Sequence, residues 1–449
     1  MPSPTADHQQ LAAIRKVTFG SAFGTALEFY DFLIYGTAAA LVFGTVFYPG
    51  SSPLAAGLAS FATFAVGFAA RPLGGLLFSH LGDRVGRKPI LLITLLMMGL
   101  GTVGIGLLPG YDAIGIWAPI LLVVLRVVQG VALGGEVGGG QLVVYENAPR
   151  GTKAFFTAIV QGASSAGSAV SGGLLLIFSA SLTPEAFLAW GWRVPFLLSI
   201  VVVLIGVYIR RRVSESPAFE RVKKEGTTHR VPAGALFKRQ PGSLIFAVLL
   251  LGTGISYYIN TVYSVSYVRA IGMPVTTTLL VLLIMNLAVL PLFPLVGRLA
   301  ERIGKTKVLV AGIVLSIAVM LFYFPVIGTG DPVLYFVAML VTSIAFQTFN
   351  AIQPTFVADL FDIRIRFSAM AISNSIGTVV FGGLAPFVAT ALLAAGGGAP
   401  WPIAIYAIAG QLLALLGIVG MLGLARRRAR RESRDVAPIR PAGDTDIAA

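Results

Sequence analysis

The sequence predicts an all-α integral membrane protein with twelve transmembrane helices arranged as two pseudo-symmetric six-helix bundles. Its 449 residues are 56% hydrophobic and 12% charged, whereas soluble domains carry about 25% charged residues. Long apolar runs recur from one end of the chain to the other, and a short charged loop in the first half returns in the second. A chain of this composition has too little polar surface to remain dissolved in water.

Twelve apolar runs are long enough to cross a bilayer, which requires about 20 residues. Proline, glycine, aspartate or a basic cluster separates each run from the next, as expected of turns. The first run is much longer than a signal-peptide core and is predicted to be a retained helix. The runs are 17–46, 54–80, 89–108, 115–145, 153–180, 193–212, 243–269, 275–297, 307–327, 333–358, 367–394 and 401–424.

The basic residues predict how the helices are oriented. All but four of the 33 lysines and arginines fall on one side under this assignment, the exceptions being Arg71, Arg126, Arg193 and Arg269. Cytoplasmic loops carry an excess of basic residues. Both termini are therefore expected in the cytoplasm, and the net charge of +14 reflects topology and not nucleic-acid binding.

A long polar interruption near the middle of the chain and a basic stretch at its end divide the chain into four regions. Residues 1–212 are predicted to form the N-terminal bundle, 213–239 a cytoplasmic inter-bundle loop and 240–425 the C-terminal bundle. Residues 426–449 are basic and then rich in proline and glycine, which predicts a disordered cytoplasmic tail.

An internal repeat supports the two bundles. The sequence SHLGDRVGRKP (79–89) returns as GRLAERIGKTK (297–307), so that Asp83 matches Glu301 at an offset of 218 residues. Parallel repeats of this kind place a substrate site between two bundles that rock against each other. The alternative is an ordinary pair of basic loops. The repeat favours a cytoplasmic gate formed by Asp83, Arg84, Gly86, Arg87, Glu301 and Arg302.

These loops resemble the major facilitator superfamily, with Ser79 where the superfamily loop usually begins with glycine. Further stretches are similar to its metabolite:proton symporter family, and within it most to the shikimate transporter group. The resemblance implies transport of a small metabolite such as shikimate, a dicarboxylate or a zwitterionic osmolyte. The stretches are ALEFYDFLIYGTAAALVF (26–43), RVVQGVALGGEVGGG (126–140), GWRVPFLLS (191–199), ESPAFE (215–220) and, less distinctly, QPTFVADLF (353–361).

Charged residues within the first and fourth spans are the candidates for proton coupling and anion recognition. Glu28 and Asp31 lie in the first span, and Arg126 and Glu136 lie in the fourth. Intramembrane charges are costly and are usually functional. Arg126 reaches a depth at which it can pair with Asp31 or Glu28, and protonation of that carboxylate would free the arginine for a substrate anion. A static salt bridge is the alternative.

The fourth span is interrupted by many glycines, which allow close helix approach or bending. Glu136 lies about 15 Å from Arg126 along one straight helix. We interpret Glu136 either as a third proton site or as a structural acid that meets Arg71 or the basic loops.

Polar residues elsewhere in the spans are candidates for hydrogen bonds to substrate hydroxyls. Interhelical hydrogen bonding is the alternative for each of them. The candidates in the first half are Gln129, Tyr30 and Tyr35, and those in the second half are Tyr257, Asn260, Gln347 and Asn350.

No catalytic machinery is predicted. The chain lacks cysteine, its three histidines have no metal-ligand spacing, and GGEVGGG has neither the lysine nor the strand–loop–helix context of a phosphate loop. The sequence therefore predicts that the protein is not an enzyme and that it binds no metal and no cofactor.

The sequence thus predicts a proton-coupled symporter in the cytoplasmic membrane that imports a shikimate-like organic acid or a dicarboxylate by alternating access, as a monomer. A symporter of proline or betaine is the first alternative. An efflux transporter and a transport-dead sensor are the others.

Overall fold

The computed structural model describes residues 4–85, 87–135, 139–212, 240–362 and 365–435. Its secondary structure is helical, and no strand occurs within these ranges. The predicted inter-bundle loop at 213–239 lies outside the described residues.

The first half contains six long helical segments that follow the predicted spans. Helix α2 has a turn at Ala70, and a further helix, Gly139–Asn147, follows α4. The segments are α1 (Pro4–Ala38, Ala39–Phe43 and Gly44–Phe47), α2 (Pro53–Ala69 and Arg71–Val85), α3 (Arg87–Leu107), α4 (Trp117–Gly134), α5 (Lys153–Ser181) and α6 (Pro184–Ala186, Phe187–Gly191 and Arg193–Arg212).

The second half contains six more segments. They are α7 (Pro241–Leu250, Leu251–Thr253, Gly254–Tyr258, Ile259–Tyr263 and Ser264–Ala270), α8 (Val275–Ala288 and Leu292–Ile303), α9 (Lys305–Ile327), α10 (Pro332–Asn350 and Gln353–Leu360), α11 (Arg366–Thr378, Val379–Gly383 and Ala385–Ala395) and α12 (Trp401–Asp435).

Every predicted span coincides with an apolar helix. Ten helices of the described ranges are long and apolar enough to cross a membrane, and α6 becomes an eleventh if its two parts, bent by 42°, count as one crossing. Helix α3 contributes the shorter apolar stretch Leu92–Leu107. The predicted third and sixth spans therefore correspond to a helix with a shorter apolar stretch and to a bent helix, respectively.

Glycines bring α2 and α4 into backbone contact. A Cβ placed on Gly74 would lie 1.8 Å from the carbonyl oxygen of Val131. One placed on Gly134 would lie 1.9 Å from that of Arg71, and one on Gly130 would lie 2.0 Å from that of Gly67. The glycine-rich stretch after Arg126 therefore serves close helix packing, as small residues do at membrane helix interfaces.

Within the described residues, four of the helices contain a π-helical turn. These turns are Ala39–Phe43 in α1, Phe187–Gly191 in α6, Ile259–Tyr263 in α7 and Val379–Gly383 in α11. Of these helices, α1, α7 and α11 lie at the interface between the two halves, where α1 meets α7, α2 meets α11, and α5 meets α8. Because a π-turn shifts the helical register, it changes which side chains face the partner bundle.

The two halves touch at both ends of the interface. We call the end with Val85 and Ile303 the basic end. Towards that end, a Cβ on Gly297 would lie 2.8 Å from the Cα of Phe155. Towards the opposite end, a Cβ on Gly36 would lie 3.0 Å from Cγ2 of Val262. The two halves are therefore in contact at both ends of the interface.

Helix α12 continues beyond the predicted start of the tail at residue 426 and ends at Asp435. Arginine, which dominates this stretch, has a high helix propensity. The Arg428 guanidinium donates a hydrogen bond of 2.7 Å to Oγ of Ser243 and so fixes the extension to α7.

Candidate substrate and proton site

Arg126 is buried in the first half, at the middle of α4. Its Nη1 donates to Oε1 of Gln129 at 3.1 Å, and its Nη2 donates to the carbonyl oxygen of Phe64 at 3.3 Å. The guanidinium carbon lies 3.7 Å from the centroid of the Tyr35 ring. The buried Nε has no hydrogen-bond partner. The Nε–H group of this buried arginine is therefore left without an acceptor.

Asp31 is buried on α1 and is linked to Arg126 by two intervening side chains. Thr102 on α3 donates to Oδ1 of Asp31 at 3.1 Å, and Nε2 of Gln129 donates to Oγ1 of Thr102 at 2.7 Å. No ion pair joins Arg126 to Asp31 or to Glu28 within the described residues. The direct contact that the sequence allowed is therefore replaced by a hydrogen-bonded chain.

Glu28 faces the other buried arginine. Its carboxylate lies 3.8 Å from Nη2 of Arg71, and the Glu28 side chain is 32% exposed. The Arg71 guanidinium lies against two aromatic rings, 4.2 Å from the Phe32 centroid and 4.4 Å from that of Phe68. Its Nε also has no hydrogen-bond partner. The site thus contains two arginines and two carboxylates.

Aromatic side chains surround both arginines and extend to the other half. The Phe32 ring lies within cation–π distance of Arg71 and 5.9 Å from Arg126. Tyr258 of α7 packs against Phe64 and Phe68 at centroid distances of 5.8 and 5.5 Å. Tyr258 thus places a second-half side chain against the aromatic rings that surround the two arginines. Its signal in the sequence was only its position beside Tyr257.

The two tyrosines predicted near the charges differ in placement. The Tyr35 hydroxyl donates to Oγ1 of Thr63 at 2.6 Å, which fixes the ring under Arg126. The Tyr30 hydroxyl donates to the carbonyl oxygen of Pro195 at 2.6 Å. Tyr30 therefore anchors α1 to α6 and points away from Arg126.

The candidates of the second half fall into two groups. Asn260 is fully hydrogen-bonded within its own bundle, donating to Ser343 at 2.9 Å and accepting from Tyr323 at 2.8 Å. Tyr257 lies between the bundles, with its ring stacked on Phe346 at 4.7 Å and edge-on to Phe29 at 6.3 Å. Of these two, Tyr257 is the side chain that lies between the bundles.

Gln347 and Asn350 belong to a polar ladder that crosses the interface towards the basic end. Gln161 of α5 donates to Oδ1 of Asn350 at 3.0 Å, Asn350 donates to Oε1 of Gln347 at 3.0 Å, and Gln347 donates to Ser165 at 3.3 Å. Gln141 also donates to Gln161. In this state both residues hold the bundles together.

Further polar contacts close the basic end. Tyr145 donates to Oδ1 of Asp359 at 2.5 Å, and Lys305 contacts the other oxygen of that carboxylate. Arg366 lies 4.0 Å from Glu146. The contacts of Tyr145 and Glu146 join the helix Gly139–Asn147 of the first half to the second half.

The predicted gate residues are described in part. Oε1 of Glu301 accepts a hydrogen bond of 2.6 Å from the amide of Ala154 in the first turn of α5, a position where the helix dipole favours an anion. Arg302 is exposed at the end of α8. Asp83 and Arg84 end α2 and Arg87 begins α3. Gly86 and Glu136 lie outside the described residues.

The space beside the charged group is small. A cavity of about 10 Å³ is lined by side chains of α1 to α4, among them Asp31, Arg126 and Gln129. That volume is at the lower limit for one water molecule and excludes an organic acid. The guanidinium of Arg126 therefore has no room for an organic acid beside it within the first bundle.

Comparison with known proteins assigns the fold to a family. The family described as the Major Facilitator Superfamily matches residues 21–362 and 259–442. An inner membrane metabolite transport protein of Escherichia coli K12, YhjE, is 39% identical over 92% of this chain and 96% of its own. The chain belongs to the major facilitator superfamily. The protein is thus a membrane transporter and not an enzyme, as predicted.

Two further relatives of this transporter have names that specify a substrate. The shikimate transporter of E. coli K12 is 38% identical over 90% of this chain and 94% of its own. The proline/betaine transporter of the same strain is 32% identical over 85% of this chain and 78% of its own. The resemblance to the shikimate transporter group is confirmed, and the relatives together leave the substrate open.

A solved structure has the same architecture. A D-xylose–proton symporter superposes on this major facilitator with a TM-score of 0.72, covering 89% of this chain and 97% of that chain. Its sequence is 17% identical, so the likeness concerns the fold alone. The predicted twelve-helix, two-bundle fold is confirmed.

Thr102 is the site residue that sequence reasoning missed. It lies in the stretch MGLGTVGIGL (98–107), where a lone threonine has no pattern to distinguish it from the threonines of other spans. Thr102 is recognisable only from its neighbours in space, Asp31 and Gln129.

Proposed function

We propose that this transporter is a symporter that imports a small organic acid together with a proton. The observation that carries the proposal is the buried charged group in the first bundle. Arg71 and Arg126 each keep an unpaired Nε–H, and each is associated with one carboxylate, Glu28 by contact and Asp31 through Thr102 and Gln129. Such groups inside a membrane usually mark a substrate or proton path.

The charges support coupling of one proton to one monoanion. With both carboxylates ionised, the two arginines are balanced. Protonation of Asp31 leaves one net positive charge among these four residues. A substrate carboxylate restores the balance by binding Arg126, and an uncompensated buried charge costs several kcal/mol. Proton and anion therefore bind more favourably together than either does alone.

Transport then proceeds by alternating access. Because the cavity of about 10 Å³ excludes an organic acid, the bundles separate at one end to admit the substrate and at the other to release it. We assign residues 1–212 and 240–425 to the two bundles, with both termini in the cytoplasm and the transporter acting as a monomer in the cytoplasmic membrane. Asp83, Arg84, Gly86, Arg87, Glu301 and Arg302 are the proposed gate.

A hydroxylated monocarboxylate of the shikimate type is the leading substrate. Arg126 supplies the anion contact, and Tyr257 and Tyr258 supply hydrogen-bonding groups from the second bundle. A proline or betaine symporter is the second candidate, favoured by the relative of that name. A zwitterion satisfies the arginine equally, but two buried arginines disfavour its cationic end.

Uptake into proteoliposomes tests the proposal. Labelled shikimate, a dicarboxylate, an aromatic acid and glycine betaine are offered in parallel under an imposed inward proton gradient, with and without a protonophore. We expect protonophore-sensitive accumulation of the hydroxylated acid. Accumulation of betaine alone would establish the osmolyte function instead. Movement of none of the four would contradict import.

A further inference from the structure

Thr102 and Gln129 form the connection between the proposed proton site and the proposed anion site. Asp31 and Arg126 are both buried and both without a direct ion pair to each other within the described residues. The path between them is Asp31–Thr102–Gln129–Arg126, with successive donor–acceptor distances of 3.1, 2.7 and 3.1 Å. The two N–H···O distances lie in the normal range for a hydrogen bond, and the O–H···O distance between Thr102 and Asp31 is at its long limit.

The Thr102 hydroxyl is the point at which this chain can switch. Its single proton has two acceptors, Oδ1 of Asp31 at 3.1 Å and the carbonyl oxygen of Met98 at 3.0 Å. A hydroxyl donates one hydrogen bond and accepts two. When Asp31 is ionised, Thr102 donates to it. When Asp31 is protonated, the acid donates to Thr102, and the Thr102 proton turns to Met98 without losing a partner.

The state of this hydroxyl affects Gln129. In the ionised state, every bond of the chain points towards the Asp31 carboxylate, so the bonds polarise one another. The Gln129 amide is then held by Thr102 at one end and holds Nη1 of Arg126 at the other. In the protonated state, the acid and Gln129 both donate to the same hydroxyl, and the polarisation by the carboxylate is lost. The hold of Gln129 on Arg126 therefore weakens.

The other charged groups near Asp31 belong to a separate pair. Glu28 precedes Asp31 on α1 and faces Arg71 of α2. The titratable groups that approach from α1 are Tyr30, which neighbours Asp31 and donates to the carbonyl oxygen of Pro195, and Tyr35, which lies under Arg126. Tyr258 approaches from α7. Between their ends, α3 and α5 contain no Asp, Glu, Lys, Arg or His. Arg193 of α6 donates to the carbonyl oxygens of Ala189 and Leu108. Among the described residues, Arg126 is the cation that acts on Asp31.

We propose that Thr102 and Gln129 are positioning residues that transmit the protonation of Asp31 to Arg126, so that Arg126 is released to a substrate carboxylate when Asp31 is protonated. This inference rests on the proposed function and specifies how its two sites communicate. The proton comes from water on the side open to the site, and no covalent bond forms or breaks.

The test measures how the affinity for labelled shikimate depends on pH in purified transporter reconstituted in nanodiscs. Thr102→Val keeps the branched shape and removes the hydroxyl, whereas Thr102→Ser keeps the hydroxyl. A coupling of two sites commonly changes affinity by about 5- to 150-fold. We expect wild type and Thr102→Ser to share one acid-to-alkaline affinity ratio, and Thr102→Val to reduce it by about threefold or more.

A double-mutant comparison separates a relay from a local packing defect. If the relay operates, Thr102→Val changes the affinity ratio in the wild-type background and adds nothing in the Asp31→Asn background, because interacting residues are not additive. Gln129→Met is likewise expected to change the affinity ratio in the wild-type background and to add nothing in the Asp31→Asn background. A wild-type ratio in Thr102→Val, or equal effects of Thr102→Val in both backgrounds, would overturn the relay.

A readout without substrate keeps the inference distinct from the proposed function. Infrared difference spectra on a pH change report the C=O stretch of a protonated carboxyl, assigned by its loss in Asp31→Asn. We expect this band to shift in Thr102→Val and to stay in place in Thr102→Ser. An unshifted band in Thr102→Val contradicts the relay whether or not shikimate is transported. If the band shifts in Thr102→Val but the transporter does not bind shikimate, the relay stands and shikimate is rejected as the substrate.

Discussion

Arg126 is the residue on which the proposed function depends most. Its guanidinium donates hydrogen bonds to the side-chain amide of Gln129 and to a backbone carbonyl, and it lies on the ring of Tyr35. Its Nε–H has no hydrogen-bond partner. A planar fork can bind a carboxylate through two donors, whereas a lysine ammonium is a point charge on a flexible stem. The geometry therefore asks for arginine specifically and not for a positive charge alone.

The substitution Arg126→Lys tests this requirement. Charged hydrogen bonds contribute about 1.5–3 kcal/mol, so loss of one lowers uptake efficiency about tenfold or more. The measurement is initial uptake rate of shikimate in proteoliposomes at equal protein content. Arg193→Lys is the control, because Arg193 donates to the carbonyl oxygens of Ala189 and Leu108, away from the site. Equal loss in both variants would assign the effect to folding.

Gly67 makes room for the guanidinium of Arg126. A Cβ at this position would lie 2.8 Å from Nη2 and 2.9 Å from Cζ of Arg126, closer than carbon and nitrogen pack. We expect Gly67→Ala to displace Arg126 and to lower shikimate affinity about tenfold, although alanine is the better helix former by about 1 kcal/mol.

Gly57→Ala, on the same helix, is the matched control for Gly67→Ala. Its added Cβ meets only Cγ2 of Thr390, at an ordinary 3.9 Å. The measurement is the affinity of each purified variant for shikimate. Undiminished affinity in Gly67→Ala would show that the guanidinium can move without loss.

At this scale the sequence predicted the charged residues but not their partners. Arg126, Asp31, Glu28 and Gln129 stand out because charged and amide groups are rare in apolar spans. Their pairing depends on which faces of α1 to α4 meet, which helical spacing alone does not determine. Glu28 thus faces Arg71, Asp31 contacts Thr102, and Tyr30 turns to α6.

Helix ends at the basic end are joined by Tyr145, whose hydroxyl donates to Asp359. The same ring lies 4.2 Å below Nζ of Lys153 and 5.3 Å from the Arg366 guanidinium. Tyr145 therefore connects segments of both bundles by a hydrogen bond and by cation–π contacts. Separation of the bundles at this end breaks the hydrogen bond.

We expect Tyr145→Phe to favour opening at the basic end. A typical hydrogen bond contributes about 1 kcal/mol, which corresponds to about a fivefold shift in the equilibrium. Because the chain contains no cysteine, Ala158→Cys supplies a single label site beneath Gly297. The rate of maleimide labelling at this site reports opening and is expected to rise in Tyr145→Phe.

Tyr263→Phe is the control for this measurement. It removes a buried hydroxyl that has no hydrogen-bond partner, and we expect no change in labelling at Ala158→Cys. Equal rates in Tyr145→Phe and wild type would mean that the hydroxyl does not hold the end closed.

At the scale of elements, the sequence predicted the spans but not their irregularities. Apolar length and the loop residues define where each helix lies. The π-turns of α1, α7 and α11 and the bend of α6 arise from packing between helices, which hydropathy does not record. The helical extension to Asp435 was also missed, because a basic sequence suits both a disordered tail and a solvated helix.

In the whole molecule, the two bundles are in contact at both ends of their interface. The repeat of the charged loop predicted two bundles, since related halves imply a shared fold. Which conformational state the chain adopts is a balance between interfaces at the two ends, and no motif encodes it. The account therefore requires that the basic-end contacts break in each transport cycle.

A disulfide across the basic end tests that requirement. A Cβ on Gly297 would lie 3.1 Å from Cβ of Ala158, so Gly297→Cys with Ala158→Cys approaches disulfide geometry. We expect oxidation to stop uptake and reduction to restore it. Continued uptake by the oxidised, fully cross-linked protein would contradict alternating access through this end.

The control pair lies within one bundle. A Cβ on Gly44 of α1 would lie 3.3 Å from Cβ of Ala56 of α2. Oxidation of Gly44→Cys with Ala56→Cys is expected to leave uptake within about twofold of the reduced protein, because the bundles move as units. Comparable inhibition in both pairs would point to a general effect of cross-linking.

Proton movement driven by the substrate tests the central claim most directly. Proteoliposomes with a trapped pH-sensitive dye and no initial pH gradient are given an inward shikimate gradient. The account predicts internal acidification in wild type and none in Asp31→Asn, with substrate exchange across the membrane retained in that variant. Shikimate uptake without acidification in wild type would contradict proton coupling through the buried charged group.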